Sequence, residues 1–257
     1  MSRVGSVPRW LWLLAAAAVL VALPALLPRY QLRLFNEALI FSLYSVSYNL
    51  LLGYAGLLSF GHAMFFGVGA YATGFLVGKG AGMPFFGAVA VATLITTLVG
   101  FAVGALLLRV RGTPFALLTL AFNALFYAVA IKWTALTGGD DGLKLARPAI
   151  DLGVIQLNTN VHAVFYYISL LVVGAALVYC WYFTRTSMGQ TVLLMRENEE
   201  RLGFVGYNTS ISRLILFTFT GSLAGMAGSF YALFFSFVSL EAISIDMTTR
   251  VLLMTFI

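Results

Sequence analysis

The chain has 257 residues, of which 61% are hydrophobic and only 9% carry a charge. A soluble domain carries roughly 25% charged residues, so this composition excludes a soluble globular protein and predicts a polytopic membrane protein. The formal net charge is +6, but the basic residues are scattered among the ends of apolar segments. They are typical of interfacial anchors that face phospholipid, and we predict a lipid bilayer and no nucleic acid as their partner.

Apolar segments long enough to cross a bilayer follow one another along the chain. About 20 apolar residues span the hydrocarbon, and backbone in lipid must be helical to satisfy its own hydrogen bonds. The rule predicts spans at 10–27, 35–52, 57–77, 85–108, 114–131, 162–183 and 214–238, and the start of an eighth at Val251. We therefore predict an all-α transmembrane helical bundle that forms a single domain over residues 1–257.

Two further expectations concern the ends of the chain. Arg3 and Arg9 followed by an apolar run also resemble a secretory signal peptide, but the length of the run and the spans after it favour an uncleaved first helix. The eighth segment has only seven residues before the sequence stops at Ile257, which is too short to cross a bilayer. We expect the domain to be truncated at its C-terminus.

The third predicted span opens on a glycine-rich, polar stretch, residues 53–62. Glycine weakens a helix by roughly 1 kcal/mol per residue, so this stretch favours an interrupted helix or re-entrant turn that lines a cavity, as in many transport pathways. An ordinary tight turn between two apolar arms explains it equally well. The candidate pathway residues are Gly53, Tyr54, Gly56, Ser59, Gly61 and His62. His62 by itself is more typical of a hydrogen-bonded packing residue than of a substrate contact.

Small residues also recur at four-residue spacing within the predicted spans, a pattern that favours close packing of helix backbones. We interpret them as packing seams. The pairs are Gly74/Gly78, Gly100/Gly104, Gly221/Gly225 and Ala224/Gly228.

The sequence provides no source of energy for transport within the spans. The stretches 38–78, 80–108, 152–184 and 214–240 contain no Asp, Glu, Lys or Arg, whereas proton-coupled carriers usually place carboxylates inside the membrane. We find no phosphate-binding loop, no metal-ligand spacing and no cluster of acid, base and nucleophile, so we predict neither a cofactor nor an enzyme. A sodium-coupled carrier stays open as an alternative, because backbone carbonyls and hydroxyls can bind sodium. Otherwise, another subunit must hydrolyse the ATP.

The one long charged segment, residues 185–212, is suited to contact a separate subunit that hydrolyses ATP. Ser187 and Gln190 fit a capping box that starts a helix, and Gly203 can end it. One face is apolar, and Arg196/Glu200 and Glu197/Arg201 are predicted to pair at i, i+4. Helices that lie flat on lipid usually have a basic polar face, so the mixed charge here favours docking to a protein partner.

The distribution of Lys and Arg says little about which side of the membrane each loop faces. If the charged segment is cytoplasmic, eight Lys and Arg residues lie inside and seven outside, and the positive-inside rule then has almost no preference. In this orientation the turn-rich loop 133–161 faces out.

Four blocks of the sequence resemble, in order, the branched-chain amino-acid ABC permeases. They are "NLLLGYAGLLSFGHAMFFGVGAY" from residue 49, "RGTPFALLTLAF" from 111, "TGGDDGL" from 137 and "RENEERLGFVGYN" from 196. The second block and the extra N-terminal helix are similar to the LivM-like member rather than the LivH-like one. Asp140 stands where the family often has proline, and the family continues beyond residue 257 through further spans.

This resemblance implies a permease of the ABC importer type in the bacterial inner membrane. It implies a second, LivH-like permease subunit, two ABC ATPase subunits and a periplasmic solute-binding protein as partners. The coupling to the ATPase would involve Arg196, Glu197, Asn198, Glu199 and Gly206, in a cytoplasmic coupling loop over 185–212. Residues 53–62 would lie along the translocation pathway. Permeases similar to this one also serve urea or short amides, which stay open as solutes.

Overall fold

The computed structural model describes residues 19–79, 82–107, 110, 112–151, 156–157, 159 and 161–256, and these are almost entirely helical. The described part of helix α1 covers residues 19–26. The helices that follow it are α2 (Arg29–Asn49), α3 (Ala63–Gly74), α4 (Phe85–Leu107), α5 (Thr113–Lys132), α6 (Thr134–Thr137), α7 (His162–Arg185), α8 (Ser187–Phe204), α9 (Thr209–Phe235) and α10 (Ile245–Phe256). This confirms the predicted all-α bundle.

Within the described residues, four helices, α4, α5, α7 and α9, are long and apolar enough to cross a membrane. Their bounds lie close to the predicted spans, except that α9 begins five residues before the predicted start. Helix α2 also begins early, at Arg29, and α3 begins at Ala63 rather than near residue 57. The predicted start at Val251 is wrong, because a 3-10 turn over Leu240–Ile243 leads into α10 at Ile245. The first half of the first predicted span, residues 10–18, lies outside the described residues.

Helix α9 is the centre of the bundle and packs against α2, α3 and α4. Buried residues make up 61% of its most apolar stretch, compared with 28–33% in α4, α5 and α7. Glycine allows this packing, since a Cβ added to Gly228 would overlap the carbonyl of Phe66 on α3. The prediction of a packing seam on α9 is therefore confirmed. The same prediction is wrong for Gly74 and Gly78, because these glycines do not face another helix. Gly74 lies against Val238 and Leu143, and Gly78 lies against residues 144–145.

The loop end of the bundle is closed by short strands, β1 (Leu143–Lys144), β2 (Ile150–Asp151), β3 (Gln156–Leu157) and β4 (Phe237–Val238). Strand β1 pairs with β4, and β2 pairs with β3, both antiparallel. The predicted turns are present, since Gly138, Gly139 and Gly142 all have positive φ.

Arg147 fastens this loop to the C-terminal end of α9. Its guanidinium donates to the carbonyls of Leu233 (2.6 Å) and Phe234 and lies 5.2 Å from the ring centre of Phe165. The last carbonyls of a helix have no partner inside the helix, and Arg147 supplies one. Burial, and secondarily the charge of Arg33, lowers the pKa of Arg147, but an arginine remains charged in proteins. The charged Arg147 guanidinium thus attaches the loop to the end of α9.

Candidate functional site

The glycine-rich stretch is a real interruption of the helical chain. After α2 ends at Asn49, Leu50–Tyr54 forms one π-helical turn, and residues 55–62 are not helical. Gly56 has φ +67°, a left-handed conformation that favours glycine. Tyr54 is half-buried at the end of the π turn. The non-helical backbone confirms that the helix does not continue through this stretch, and it fits both the interrupted helix and the tight turn that the sequence left open.

Residues 59–62, the second part of the interruption, are fixed by buried hydrogen bonds. His62 Nε2 lies 3.0 Å from Ser47 Oγ, and the Tyr48 hydroxyl donates to the carbonyl of Ser59 at 3.0 Å. His62 and Ser59 are fully buried, and the imidazole stacks on the Tyr44 ring at 5.6 Å. Contacts of this kind are typical of a packing histidine, and they connect residues 59–62 to α2.

Backbone groups of the same stretch bond to two other helices. The N–H of Phe60 donates to Thr119 Oγ1 on α5 at 3.2 Å, and the N–H of Ala63 donates to Thr248 Oγ1 on α10 at 3.1 Å. Gly61 lies so close to α5 that an added Cβ would overlap the carbonyl of Thr119. Threonines thus replace the intrahelical partners that the break removes.

A cavity of about 270 Å³ lies between the interruption and the start of α5. Its lining comes from two short segments of the chain and is mainly apolar. The lining residues are Gly56, Leu57, Leu58, Phe60, Gly112, Thr113, Phe115, Ala116 and Leu117.

The charged segment forms α8, with a break that its sequence pattern did not predict. Asn198 departs from helical geometry (φ −158°, ψ 97°), and its Oδ1 accepts from the N–H of Arg201 at 3.0 Å. The capping prediction is wrong by one residue, because Thr186 is the N-cap and accepts from the N–H of Gly189 at 3.3 Å. Gly206, at φ +93°, takes the left-handed position that was predicted for Gly203.

The predicted apolar face of α8 is confirmed, but the ion pairs predicted along the helix are wrong. Val192, Met195 and Leu202 are buried against the bundle. Among the described residues, neither Arg196/Glu200 nor Glu197/Arg201 forms an ion pair. The break at Asn198 changes the i, i+4 register on which both pairs depend.

Two side chains of the stretch 196–199, those of Arg196 and Glu199, bond to other parts of this chain. The Arg196 guanidinium donates to the carbonyl of Gly53, and its aliphatic part packs over Gly56. Glu199 forms an ion pair of 2.5 Å with Arg213 on α9, whose side chain is 4% exposed. Arg213 also donates to the carbonyl of Val110 at 3.2 Å, in the connection between α4 and α5. The candidate coupling residues and the candidate pathway residues are therefore in direct contact.

The other members of the stretch face outward. Glu197 and Asn198 line a groove of about 430 Å³ together with Leu194, Arg201, Leu202 and Val205. Phe204 is 90% exposed beside this groove, and Val205 is 74% exposed. Exposed apolar side chains of this size on a charged rim are typical of interaction sites. The exposure of Phe204 was not predicted, although the sequence places an apolar pair, Phe204 and Val205, between two glycines at the helix end.

The helices and these contacts define a polytopic α-helical membrane protein in which a charged surface segment is bonded to a broken helix. A family model, described as the permease component of branched-chain amino acid transport systems, matches residues 30–257. The match covers most of the chain, so the protein belongs to this family of permeases. It is a multi-pass protein of the inner membrane.

Two curated relatives carry the same description. The high-affinity branched-chain amino acid transport system permease protein LivM of Salmonella typhimurium is 26% identical, over 92% of this chain and 60% of the relative. The LivM protein of Escherichia coli is 27% identical with the same coverage. The chain thus spans about 60% of the length of the curated relatives it matches. No solved structure matches it.

Proposed function

We propose that the protein is a membrane-spanning permease subunit of an ATP-driven ABC importer for branched-chain amino acids or related small polar solutes. It forms the translocation pathway together with a second, LivH-like permease subunit. Two separate ABC ATPase subunits bind on the cytoplasmic side, and a periplasmic solute-binding protein delivers the solute. The family and the names of the two LivM relatives support this solute class.

The observation that carries the proposal is the double contact of the charged segment over residues 185–212. Its inner side is bonded to the interrupted helix through Arg196 and to α9 through Glu199. Its outer side presents the groove with Glu197 and Asn198, and the exposed Phe204 and Val205. A coupling loop requires both contacts, one with the ATPase and one with the pathway.

In this proposal each side of the loop has its own task. Glu197 and Asn198 contact the ATPase, and Gly206 turns the chain so that Phe204 is left exposed as an apolar anchor. Aromatic anchors supply much of the binding energy at protein interfaces. Residues 53–62 and their cavity belong to the pathway, and ATP binding and hydrolysis move the loop, which tilts the bundle between outward and inward access.

The test is co-purification of the natural full-length protein, expressed with its second permease and ATPases, from detergent-solubilised membranes. We expect the ATPases to be recovered with the wild type and to be lost with Glu197→Lys or Phe204→Ser. Glu200→Lys is the matched control, because Glu200 is exposed but does not line the groove.

Other results would contradict the proposal. A wild-type protein that purifies alone and transports in liposomes under a sodium gradient would instead be a sodium-coupled carrier. Recovery of the ATPases with all three variants would move the docking surface elsewhere. Competition of labelled leucine uptake by urea or acetamide, tested in parallel, would identify a permease for urea or short amides.

A further inference from the structure

Arg196 makes a contact that docking to an ATPase does not require. The π turn leaves the carbonyl of Gly53 without the usual helical donor, because the N–H of Leu57 bonds to Leu51 and the N–H of Gly56 bonds to Leu52. The Arg196 guanidinium, from a segment more than 140 residues away, donates to this carbonyl. Gly53 is half-buried and Arg196 is exposed, so the contact ties the exposed side of the interruption directly to the charged segment.

The aliphatic part of Arg196 reinforces the contact at Gly56. A Cβ added to Gly56 would lie 3.1 Å from Arg196 Cγ, so the absence of a side chain at Gly56 gives Arg196 its place. Gly56 also lines the cavity beside α5. Arg196 therefore touches the interruption at two points, one polar and one apolar, next to the candidate pathway.

The break at Asn198 separates Arg196 from the part of the segment that is fastened elsewhere. Residues before the break are tied to the interruption through Arg196, and Glu199 just after it is tied to Arg213 on α9. A hinge is a small number of residues that absorb a change in φ and ψ. Asn198 has the position of a hinge between two attachment points on different helices.

We propose that Arg196 is a positioning residue that transmits displacement of the coupling loop to residues 53–56, and that it does not belong to the ATPase docking surface. This inference rests on the proposed function and specifies which part of the pathway the loop moves. When an ATPase moves the outer side of the loop, rotation at Asn198 pulls or releases the Gly53 carbonyl. The interruption then changes its shape while Glu199 keeps the other end of the loop on α9.

The guanidinium suits this role better than an ammonium. It is planar and presents several donors in a fixed geometry, whereas the lysine ammonium is a compact and strongly hydrated charge on a flexible stem. Arg196→Lys should therefore restore part of the contact, and Arg196→Gln should restore little of it.

The experiment uses the complete importer, with full-length subunits, in proteoliposomes. For Arg196→Gln we expect normal recovery of the ATPases and normal ATP hydrolysis, with solute uptake lower by about tenfold, a loss within the range of one hydrogen bond to a charged group. Arg196→Lys should fall between this variant and the wild type. Glu197→Gln is the matched control and should lower ATPase recovery instead.

A second measurement follows the interruption itself. In a background with the buried Cys180 removed by Cys180→Ser, Leu58→Cys reports on the cavity. We expect its maleimide labelling rate to change when the ATPases are trapped with vanadate, and we expect Arg196→Gln to abolish that change.

Each contrary result has a separate meaning. Loss of the ATPases from Arg196→Gln would make Arg196 a docking residue, and normal uptake would exclude a transmitting role. A nucleotide-dependent change at Leu58 that persists in Arg196→Gln would also overturn the inference. Failure of the wild type to retain any ATPase would instead remove the proposed function, and this inference with it.

Discussion

Gly56 shows how a single residue can constrain two features at once. Its φ of +67° is a conformation that costs a residue with a side chain about 1–2 kcal/mol. Its missing side chain also makes room for Arg196. A bulky substitution such as Gly56→Leu therefore strains the backbone whether or not this position lines the pathway, and is a poor probe of solute passage.

The smaller change Gly56→Ala separates these effects better. We expect it to destabilise the protein by about 1–2 kcal/mol through the left-handed backbone, and to displace Arg196 so that uptake falls as in Arg196→Gln. Thermal unfolding in detergent and uptake in proteoliposomes measure the two effects. Gly203→Ala is the control, because Gly203 lies in a helical turn with open space around it and should be neutral or slightly stabilising. Full uptake in Gly56→Ala would show that Arg196 does not need its present place.

Glu199 illustrates how the structure changes the meaning of a charged residue. The pattern of charges suggested a residue that faces the ATPase, but the carboxylate pairs with the buried Arg213. Reversing its charge would place two cations together at a largely buried site. The sequence could not reveal this pair, because the two residues lie on different helices that only the tertiary fold brings together.

For Glu199→Gln we expect a loss of stability of about 2 kcal/mol, because the charge-assisted bond to the buried Arg213 becomes a bond to a neutral amide. The apparent melting temperature of the purified protein should fall by several degrees. Glu200→Gln alters the neighbouring exposed carboxylate, and exposed groups contribute little, so its melting temperature should stay unchanged. Equal effects of the two variants would contradict the structural role of Glu199.

At the scale of elements, the long apolar helices could be predicted, but the break inside α8 at Asn198 was not. Composition alone identifies α4, α5, α7 and α9, because lipid requires continuous helix. The sequence around Asn198 does contain a local signal for the start of a new helix. An asparagine followed by two glutamates is a typical start of a helix, with an N-cap and acidic first turn. The apolar face on both sides of Asn198 favoured one continuous helix and masked that start.

The contacts of residues 53–62 could be predicted only in part. The density of glycine indicates an interruption, because helix propensity depends on local sequence. The hydrogen bonds from Phe60 and Ala63 to threonines on α5 and α10 depend on which helices meet. Nothing in the local pattern specifies that meeting, and the same holds for Arg196 and Gly53.

Packing of α9 against α3 provides a test at this scale. A Cβ at Gly228 would overlap the carbonyl of Phe66, which belongs to backbone and cannot move aside. Overpacking of this kind costs about 1–3 kcal/mol, so Gly228→Ala should lower both the melting temperature and the yield of folded protein. Gly174→Ala on α7 meets nothing within 4 Å and is the matched control. If the two variants melt alike, α9 and α3 do not pack as closely as described.

The whole molecule has two chemically distinct ends, and the proposal depends on which one faces the cytoplasm. One end carries the β1–β4 pair and the loop that Arg147 fastens to α9. The other carries the charged segment with its groove and the exposed Phe204. The balance of eight Lys and Arg against seven gives the positive-inside rule almost no preference. Orientation therefore has to be measured.

We expect the end with Phe204 to be cytoplasmic, because an ATPase can reach the groove only from that side. In a background with Cys180→Ser, Phe204→Cys should be labelled by a membrane-impermeant maleimide only after the cells are opened. Asp140→Cys, on the exposed turn of the opposite end, should be labelled in spheroplasts with intact inner membranes. The reverse pattern would place the groove away from ATP, and neither the docking role of Glu197 nor the transmitting role of Arg196 could then hold.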